Sequence, residues 1–252
     1  AFKAAPLNIE HAPKSLEEWS KLIQRAIDQN WVRLDYFPVV DKELNLVHKE
    51  AALRLMFGGE WFPAGRFLPI AERLGLTSQL DMIAVKLALA EIQAQSNQQQ
   101  ISVNISSQSV NDTDFRDQLG ILLNTKPEAC RLLWLEVPEV GAFANIDSFR
   151  SFHQIIKKCS CKIGLEHFGR HLEQINLMHD LNLDFVKFDV SFIRNIETIP
   201  ANQEFLRGAA GILHRMNLTV FGEGLSTEEE FKTLVRLNID GMTGPRIGKL
   251  IK

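Results

Sequence analysis

Residues 161–167 read CKIGLEH, and residues 185–189 read FVKFD. Each run is short and largely apolar and ends in polar side chains, which is typical of a strand that leaves a hydrophobic core. Gly169 follows the first run and predicts a turn. The two runs therefore predict two strands with polar ends: Glu166 and His167 on the first, Lys187 and Asp189 on the second.

Similar apolar runs recur along the whole chain. They are VRLDYFPVV, LNLVHKEAALRL, QISVNIS, RLLWLEV, LTVFGEG and, more weakly, IDGMTG. Between the runs lie mostly helical patterns such as TSQLDMIAVKLALAEIQAQ. Eight strand candidates separated in this way predict an α/β fold, a TIM-like (β/α)8 barrel. A doubly wound open sheet is the alternative, although no G-x-G-x-x-G motif follows the first strand.

The N-terminal part predicts one helix before the barrel. SLEEWSKLIQRAIDQN places Ser15 and Glu18 as a capping box and then carries an apolar stripe at helical spacing. We therefore predict that residues 1–30 are a lead-in and helix of the same domain as a barrel in residues 31–252. The abrupt start, AFKAAPLNIE, suggests a single domain cut from a longer protein.

Composition narrows the class of protein. The net charge of −3 gives no electrostatic reason to expect a nucleic-acid polymer as partner. Three cysteines without zinc-ligand spacing (Cys130, Cys159 and Cys161) favour a reduced, cytoplasmic setting. No apolar run approaches the roughly 20 residues of a membrane helix, so we expect no membrane segment in this chain.

Polar side chains end or interrupt successive strand candidates: Glu50, Asn104, Glu136, Glu166, Lys187, Asp189 and Glu223. The carboxyl ends of barrel strands converge on one mouth, where active sites are built. Any one of these residues can be a solvated strand end or a structural ion pair. Their recurrence at one mouth predicts an oxygen-rich site suited to Mg²⁺, Mn²⁺ or Ca²⁺, and the lysine suggests an anionic, phosphate-bearing substrate.

Several motifs, in order and in register, resemble the EAL family of bacterial cyclic di-GMP phosphodiesterases. The family motifs, in chain order, are Y-Q-P-I-V, E-A-L-L-R-W, F-I-P-x-A-E-x-x-G-L, V-N-L-S, L-E-I-T-E-S, L-K-I-D-x-S-F-I and V-A-E-G-V-E. At the corresponding places this chain has, in the same order, YFPVVD, KEAALRL, FLPIAERLGL, VNISSQSV, LEVPEV, FVKFDVSFI and VFGEGLS. The resemblance covers the chain from about Trp31 to its C-terminus. It implies a TIM-like barrel, often dimeric, that binds cyclic di-GMP at the strand ends.

The resemblance also implies roles for individual residues. Glu50, Asn104 and Glu136 match metal-ligand positions, and Lys187 and Glu223 match positions that support the ions and the attacking water. Arg54 stands where a ligand phosphate is gripped, and a planar guanidinium suits that contact. We predict this set of ligand-binding residues: Phe37, Glu50, Arg54, Phe67, Leu68, Pro69, Asn104, Lys187, Asp189 and Glu223. Arg54 as a structural ion-pair partner, and Phe37 as core, are the alternatives.

The chain departs from the family where the metal ions are held. Glu166 and His167 replace two adjacent aspartates, and Arg170 to Gln174 replaces a small, hydroxyl-rich loop. Thr243 replaces the glutamine that orients water, and Pro245 replaces a tyrosine. Mg²⁺ tolerates misplaced or nitrogen ligands poorly, and a two-metal hydrolysis needs both ions and a positioned water.

These departures predict a degenerate, catalytically inactive EAL domain that needs no metal and serves as a cyclic di-GMP receptor. It most resembles the cytoplasmic EAL module of LapD-type inner-membrane signalling proteins. A homodimer, other domains of the same protein, and signalling of occupancy through conformational or dimerisation change are further expectations of that resemblance. Two alternatives remain: a slow metal-dependent phosphodiesterase, and a scaffold for protein interactions that binds no nucleotide.

Overall fold

A single sheet forms the centre of the molecule. The computed structural model describes residue 13 and residues 15–171, 174–179 and 181–250. The strands within that part are β1 (Val32–Asp41), β2 (Leu46–Phe57), β3 (Glu60–Pro63), β4 (Ile101–Asn104), β5 (Leu133–Pro138), β6 (Lys162–Phe168), β7 (Phe185–Phe188), β8 (Thr219–Gly222) and β9 (Gly241–Thr243). Because β1 pairs with both β9 and β2, eight strands close into a barrel, and β3 is added to β2. The predicted TIM-like barrel is confirmed.

The first strand runs against its neighbours. β1 is antiparallel to β2 and to β9, whereas the pairs from β2 round to β9 within the barrel are parallel. No helix separates β1 from β2, because a tight turn joins them. In that turn the Asp41 carboxylate accepts the backbone N–H groups of Glu43 and Asn45 at 2.9 and 2.8 Å. An Asp that bonds the backbone a few residues on is a standard turn device.

Strand β3 was not predicted from the sequence. It returns along β2 as an antiparallel hairpin arm, with Arg54 opposite Pro63 and Met56 opposite Trp61. Gly58 and Gly59 both have positive φ in the connecting turn, a conformation that glycine adopts without a steric penalty. The hairpin therefore extends β2 beyond the barrel and builds up one side of its mouth.

Helices cover the outside of the barrel. They are α1 (Leu16–Asp28), α2 (Ala64–Arg73), α3 (Thr77–Ala94), α4 (Ser107–Asn111), α5 (Thr113–Asn124), α6 (Pro127–Cys130), α7 (Glu139–Ala144), α8 (Ile146–Lys158), α9 (Ile175–His179), α10 (Val190–Ile193), α11 (Pro200–Arg215), α12 (Glu228–Arg236) and α13 (Ile247–Leu250), with a 3₁₀ helix at Ile196–Thr198. Within the described residues, no helix is both long enough and apolar enough to cross a bilayer.

The predicted N-terminal helix is present as α1. Ser15 caps it by accepting the Glu18 backbone N–H at 3.2 Å, and Ile23 and Ala26 are fully buried in the same hydrophobic core as the barrel strands. Residues 1–12 and 14, part of the predicted lead-in, and residues 251–252 lie outside the described residues. The assignment of 1–30 and 31–252 to one domain stays a prediction.

Side-chain alternation along the strands divides the interior from the outer core. One face of each strand packs against the helices, and the other points into the barrel. The lower interior is an apolar plug of Val39, Trp134, Phe185 and Phe221. His48 stacks on this plug with its ring centroid 4.3 Å from that of Trp134. One step further along the same strand faces, the inward residues become charged, which places the polar site above the plug.

Candidate functional site

The strand register brings the predicted polar residues together. Asn104 lies directly opposite Glu136, and Glu50 lies opposite Ser102 on the neighbouring parallel strand. Lys187 is opposite Phe221, two residues before Glu223, so β7 and β8 deliver a lysine and a carboxylate to the same mouth. The convergence predicted from the sequence is therefore present in the fold.

Glu50, Glu136 and Lys187 form what we call the buried ion-pair layer. Lys187 Nζ lies 3.1 Å from Glu50 Oε2 and also bonds the Glu136 carboxylate. Glu136 and Lys187 are fully buried. Burial alone would lower the pKa of Lys187, but the Glu136 and Glu50 carboxylates raise it above its ordinary value. Lys187 is therefore a permanent cation that holds two carboxylates in place.

Beneath this layer, His48 packs against the Trp134 ring of the apolar plug. His48 is fully buried, and burial followed by repulsion from Lys187 holds its pKa well below the ordinary value. Among the described residues, neither ring nitrogen of His48 has a hydrogen-bond partner, and the same holds for the indole N–H of Trp134. His48 is therefore a neutral core residue, and Lys187 is the cation that serves the layer.

Above the layer lies a second cluster, Glu166, His167, Asp189 and Glu223, which we call the acidic rim. His167 Nδ1 lies 3.2 Å from Glu223 Oε2 and 3.4 Å from Asp189 Oδ2, and its Nε2 lies 3.9 Å from Glu166 Oε2. Arg170 from the following loop donates to Asp189 at 3.0 Å. Each carboxylate of the rim therefore has a cation of the protein beside it.

The charges of the rim shift the pKa values of its members. The Glu223 carboxylate raises the pKa of His167 to about 9, against the opposing effect of burial. Burial raises the pKa of Glu166 to about 8, although His167 partly offsets it. Near neutral pH, His167 is therefore an imidazolium and Glu166 is mostly protonated.

A third group, Asp35, Phe37 and Arg54, forms what we call the hairpin wall. Alternation and register place these residues on one face of the β1–β2 hairpin, since Phe37 lies opposite Glu50 and Asp35 opposite Ala52. Arg54 Nε pairs with Asp35 Oδ2 at 2.8 Å, and its guanidinium lies 5.6 Å from the centre of the Phe37 ring. One carboxylate and one aromatic face thus fix the guanidinium at the mouth.

Asp35 was not identified from the sequence, although a signal was present. Asp35 is two residues before Phe37 on the same strand and faces the same way. Once the antiparallel register of β1 and β2 is known, Asp35 on β1 and the inward-facing Arg54 on β2 are expected to form an ion pair. The sequence predicted two strands here but gave no direction for either, so the pairing was missed.

Three of the predicted ligand-binding residues are buried in the structure, and their roles stay predictions. Phe67 is fully buried on the inner face of α2, within the hydrophobic core. Lys187 is also fully buried, because its ammonium is held between Glu50 and Glu136. Asp189 is 2% exposed, since it caps α10 through the Ser191 N–H and pairs with Arg170. Of the other residues of the FLP run, Leu68 is half-buried and Pro69 is exposed on α2.

Thr243 and Asn104 have defined partners of their own. Thr243 is buried, and its hydroxyl donates to the Pro38 carbonyl at 3.2 Å across the β1–β9 pair. The Asn104 amide, with its nitrogen turned towards the carboxylates, donates to Glu136 at 3.2 Å and to Glu166 at 3.3 Å. Thr243 therefore ties two strands together, and Asn104 presents a donor rather than an oxygen to the layer.

The residues of the mouth do not fit a pair of hard divalent ions. Mg²⁺ and Mn²⁺ need oxygen ligands that are free to turn towards the ion in a set geometry. Here Lys187 holds Glu50 and Glu136, and His167 lies among Glu166, Glu223 and Asp189. In the part of the chain that the structure describes, no three His, Cys, Asp or Glu side chains are grouped to hold a metal ion.

Known proteins resemble this chain over most of its length. Cyclic di-GMP phosphodiesterase PdeF of Escherichia coli (strain K12) is 28% identical over 232 residues, which are 90% of this chain and 31% of that protein. The chain spans about a third of the length of the curated relatives that it matches.

Solved structures share the fold. The S helix-GGDEF-EAL structure of Vibrio cholerae LapD without ligand superposes with a TM-score of 0.88 at 18% identity, covering 95% of this chain and 59% of that one. The Xanthomonas citri FimX EAL domain in complex with c-diGMP gives a TM-score of 0.84 at 24% identity, covering 91% of each chain.

The family model for the EAL domain matches residues 20–249. That range begins within α1, includes the whole barrel, and ends in the last described helix, α13. The buried ion-pair layer, the acidic rim and the hairpin wall all lie inside it. The chain belongs to the EAL domain family.

Proposed function

We propose that this EAL domain binds cyclic di-GMP at the barrel mouth and does not hydrolyse it, so that it acts as a receptor. The observation that carries the proposal is the contrast at the mouth. Arg54 lines the mouth with its side chain 15% exposed and is oriented by Asp35 and the Phe37 ring, whereas the carboxylates of the acidic rim are already paired with protein cations. A phosphate-binding group is presented, and the groups that would hold metal ions are engaged.

Binding in this proposal depends on a small number of contacts. Arg54 meets a phosphate with its planar guanidinium, which suits a phosphate diester better than a lysine ammonium does. Phe37, Leu68 and Pro69 supply apolar surface for the guanine bases. Glu50, Asn104 and Glu223 complete the mouth as partners for the polar edges of the bases and the ribose hydroxyls.

Hydrolysis is disfavoured by three separate features. Glu166 replaces an aspartate with a longer, buried side chain, and burial raises its pKa to about 8. His167 places a cation among the carboxylates where an anionic ligand of a metal is needed. The Thr243 hydroxyl donates its hydrogen bond to a backbone carbonyl. A two-metal displacement requires all of these elements at once.

The alternative is a slow metal-dependent phosphodiesterase. It is favoured by the presence of Glu50, Asn104, Glu136, Lys187 and Glu223 at the positions that support catalysis in the resemblance. To separate the two, the protein is incubated with cyclic di-GMP and Mn²⁺, and the products are resolved by chromatography. We expect no linear dinucleotide beyond a protein-free control. A linear product that grows with protein concentration would establish the alternative.

The whole protein in this proposal is a bacterial inner-membrane signalling protein of the LapD type, with this chain as its cytoplasmic EAL domain. A ligand shifts an equilibrium only by binding one state better than another, so occupancy must be coupled to a change in shape or assembly. We propose that the loop at residues 170–174 lies near a dimer or interdomain surface. Leu172 and Glu173 of that loop lie outside the described residues.

Assembly is measured by sedimentation of the isolated domain with and without saturating cyclic di-GMP. We expect the ligand to shift the domain towards a homodimer. Identical sedimentation in both conditions counts against the homodimer and leaves contact with other domains as the route. A scaffold that binds no nucleotide is the remaining alternative, and absence of any binding heat with cyclic di-GMP would establish it.

A further inference from the structure

The backbone of β6 is arranged to bring two neighbouring side chains to one place. In a regular strand, Glu166 and His167 would point to opposite faces of the sheet. The pairing of β6 with β7 shifts register between Leu165 and Phe168, and His167 has a φ of 53°. The local bulge and the left-handed residue turn His167 towards Asp189 and Glu223, beside Glu166.

This conformation places the His167 ring between two carboxylates. A left-handed backbone is uncommon for residues other than glycine, although histidine adopts it more often than most residues do. In this conformation the ring of His167 lies 3.2 Å from Glu223 and 3.4 Å from Asp189.

The carboxylates at the mouth all lie beside cations of the protein. The carboxylates are Glu50, Glu136, Glu166, Asp189 and Glu223, and the cations in contact with them are Lys187, His167 and Arg170. Each carboxylate therefore lies within 3.9 Å of a protein cation. This arrangement leaves little attraction for a divalent ion.

Two of these cations also face solvent. The side chains of His167 and Arg170 are 46% and 56% exposed, whereas Lys187 is fully buried. An anion that enters the mouth can therefore reach the imidazolium and the guanidinium but cannot reach the ammonium. Charge-assisted hydrogen bonds from such groups are stronger than neutral ones.

We propose that His167 and Arg170 are built-in counter-cations that take the place of divalent metal ions in the acidic rim and meet the anionic ligand there. The inference rests on the proposed function for the identity of the ligand, a cyclic dinucleotide phosphodiester. It adds two ligand contacts, on β6 and in the loop after it, opposite Arg54. It also states why the mouth accepts a polyanion with no metal ion bound.

The first test uses Mn²⁺ alone and needs no nucleotide. The wild-type protein and the variant that combines His167→Asn with Arg170→Gln are titrated with Mn²⁺ by calorimetry, and circular dichroism checks that both fold. Asn is chosen because it tolerates the left-handed conformation. We expect no saturable heat for the wild type and a dissociation constant of about 1 mM or lower for the variant. Saturable Mn²⁺ binding by the wild type would overturn the inference.

A second variant tests whether the positive charge at residue 167 is what excludes Mn²⁺. His167→Arg retains a cation in the rim, so we expect it to take up no Mn²⁺, as in the wild type. Arg207→Ala, which removes an exposed arginine on α11 far from the mouth, is the matched control for loss of a positive charge. Mn²⁺ uptake by His167→Arg equal to that of the double variant would contradict a role for the charge.

The second test uses cyclic di-GMP in EDTA. We expect the double variant to bind about tenfold or more weakly than the wild type, and Mn²⁺ to restore part of the affinity. An unchanged dissociation constant in EDTA would remove His167 and Arg170 from the ligand site. If the wild type itself binds no cyclic di-GMP, the proposed function fails. The Mn²⁺ titration still shows whether His167 and Arg170 take the place of metal ions.

Discussion

The hairpin wall and the acidic rim lie across the same barrel mouth, and they differ in what their charges are used for. In the hairpin wall, one carboxylate, Asp35, orients Arg54 and leaves its side chain partly exposed. In the acidic rim, several carboxylates are neutralised by His167 and Arg170. One side carries a partly exposed cation, and on the other side the carboxylates are neutralised by cations of the protein. The comparison supports the proposal that this mouth binds cyclic di-GMP without hydrolysing it.

The largest effect is expected from the loss of the buried ion-pair layer, which lies beneath both the hairpin wall and the acidic rim. We predict that Lys187→Met lowers the free energy of unfolding by about 3–5 kcal/mol, because it leaves Glu50 and Glu136 without their cation. Urea unfolding followed by circular dichroism measures this change.

The matched control for that variant is Lys21→Met. Lys21 pairs with Glu17 on the exposed face of α1, where we expect no measurable change in the urea midpoint. Equal effects of the two substitutions would show that the buried layer does not stabilise the barrel mouth.

The hairpin wall is tested by removing its cation. We predict that Arg54→Ala weakens cyclic di-GMP binding by about 1.5–3 kcal/mol, the usual contribution of hydrogen bonds to a charged group. Arg54→Lys should recover only part of the loss, since an ammonium lacks the planar fork. Calorimetry with Arg207→Ala as the control gives the comparison. An Arg54→Ala variant that binds like the wild type would limit Arg54 to its ion pair with Asp35.

The acidic rim is tested by pH. The pKa of His167 is raised from 6.5 to about 9 in the folded state, so its ion pairs stabilise the fold fully below about pH 6.5. That contribution is lost as the pH rises through 9. Because the ring is half-exposed, we expect no more than about 1 kcal/mol.

The readout is the difference in unfolding free energy between the wild type and His167→Asn, measured from pH 6 to pH 9.5. Glu166 titrates in the same window and its pKa depends on His167, so both proteins carry Glu166→Gln in a second series that isolates His167. We expect the difference to shrink as the pH rises. A difference that is constant or grows would mean that the imidazolium is not paired with Glu223.

The smallest effect is expected from restoring two aspartates. We predict that Glu166→Asp combined with His167→Asp gains Mn²⁺ binding but little turnover, because Thr243 and the altered loop remain. Catalytic groups that act as a unit are strongly non-additive. Product chromatography with Mn²⁺ present measures this. Turnover of about 1 per second or faster would show that the loss of activity was confined to these two residues.

The barrel fold, and the set of polar residues that line its mouth, could be predicted from the sequence because the strand ends of a barrel must converge. The run of polar residues from Glu50 to Glu223 needed only that rule and the strand pattern. The direction of β1 could not be predicted, because a parallel and an antiparallel strand show the same alternation of side chains. The Asp35–Arg54 pair and the hairpin arm β3 could not be predicted either, because both depend on the register of two strands.

Burial was the other limit. The sequence cannot distinguish a lysine at a strand end that meets a ligand from one enclosed by two acids, and Lys187 is the second kind. Phe67 lies in a motif with exposed neighbours but on the inner face of α2. The direction of His167 depends on a bulge in β6, for which no glycine or proline at that position gives a signal.

The central claim is that the mouth binds cyclic di-GMP with charges supplied by the protein alone. The most direct measurement is a calorimetric titration of the wild-type domain with cyclic di-GMP in EDTA, repeated with Mn²⁺ in place of the chelator. We predict saturable binding in EDTA, with a dissociation constant that Mn²⁺ leaves unchanged. Binding that appears only when Mn²⁺ is present would contradict the claim.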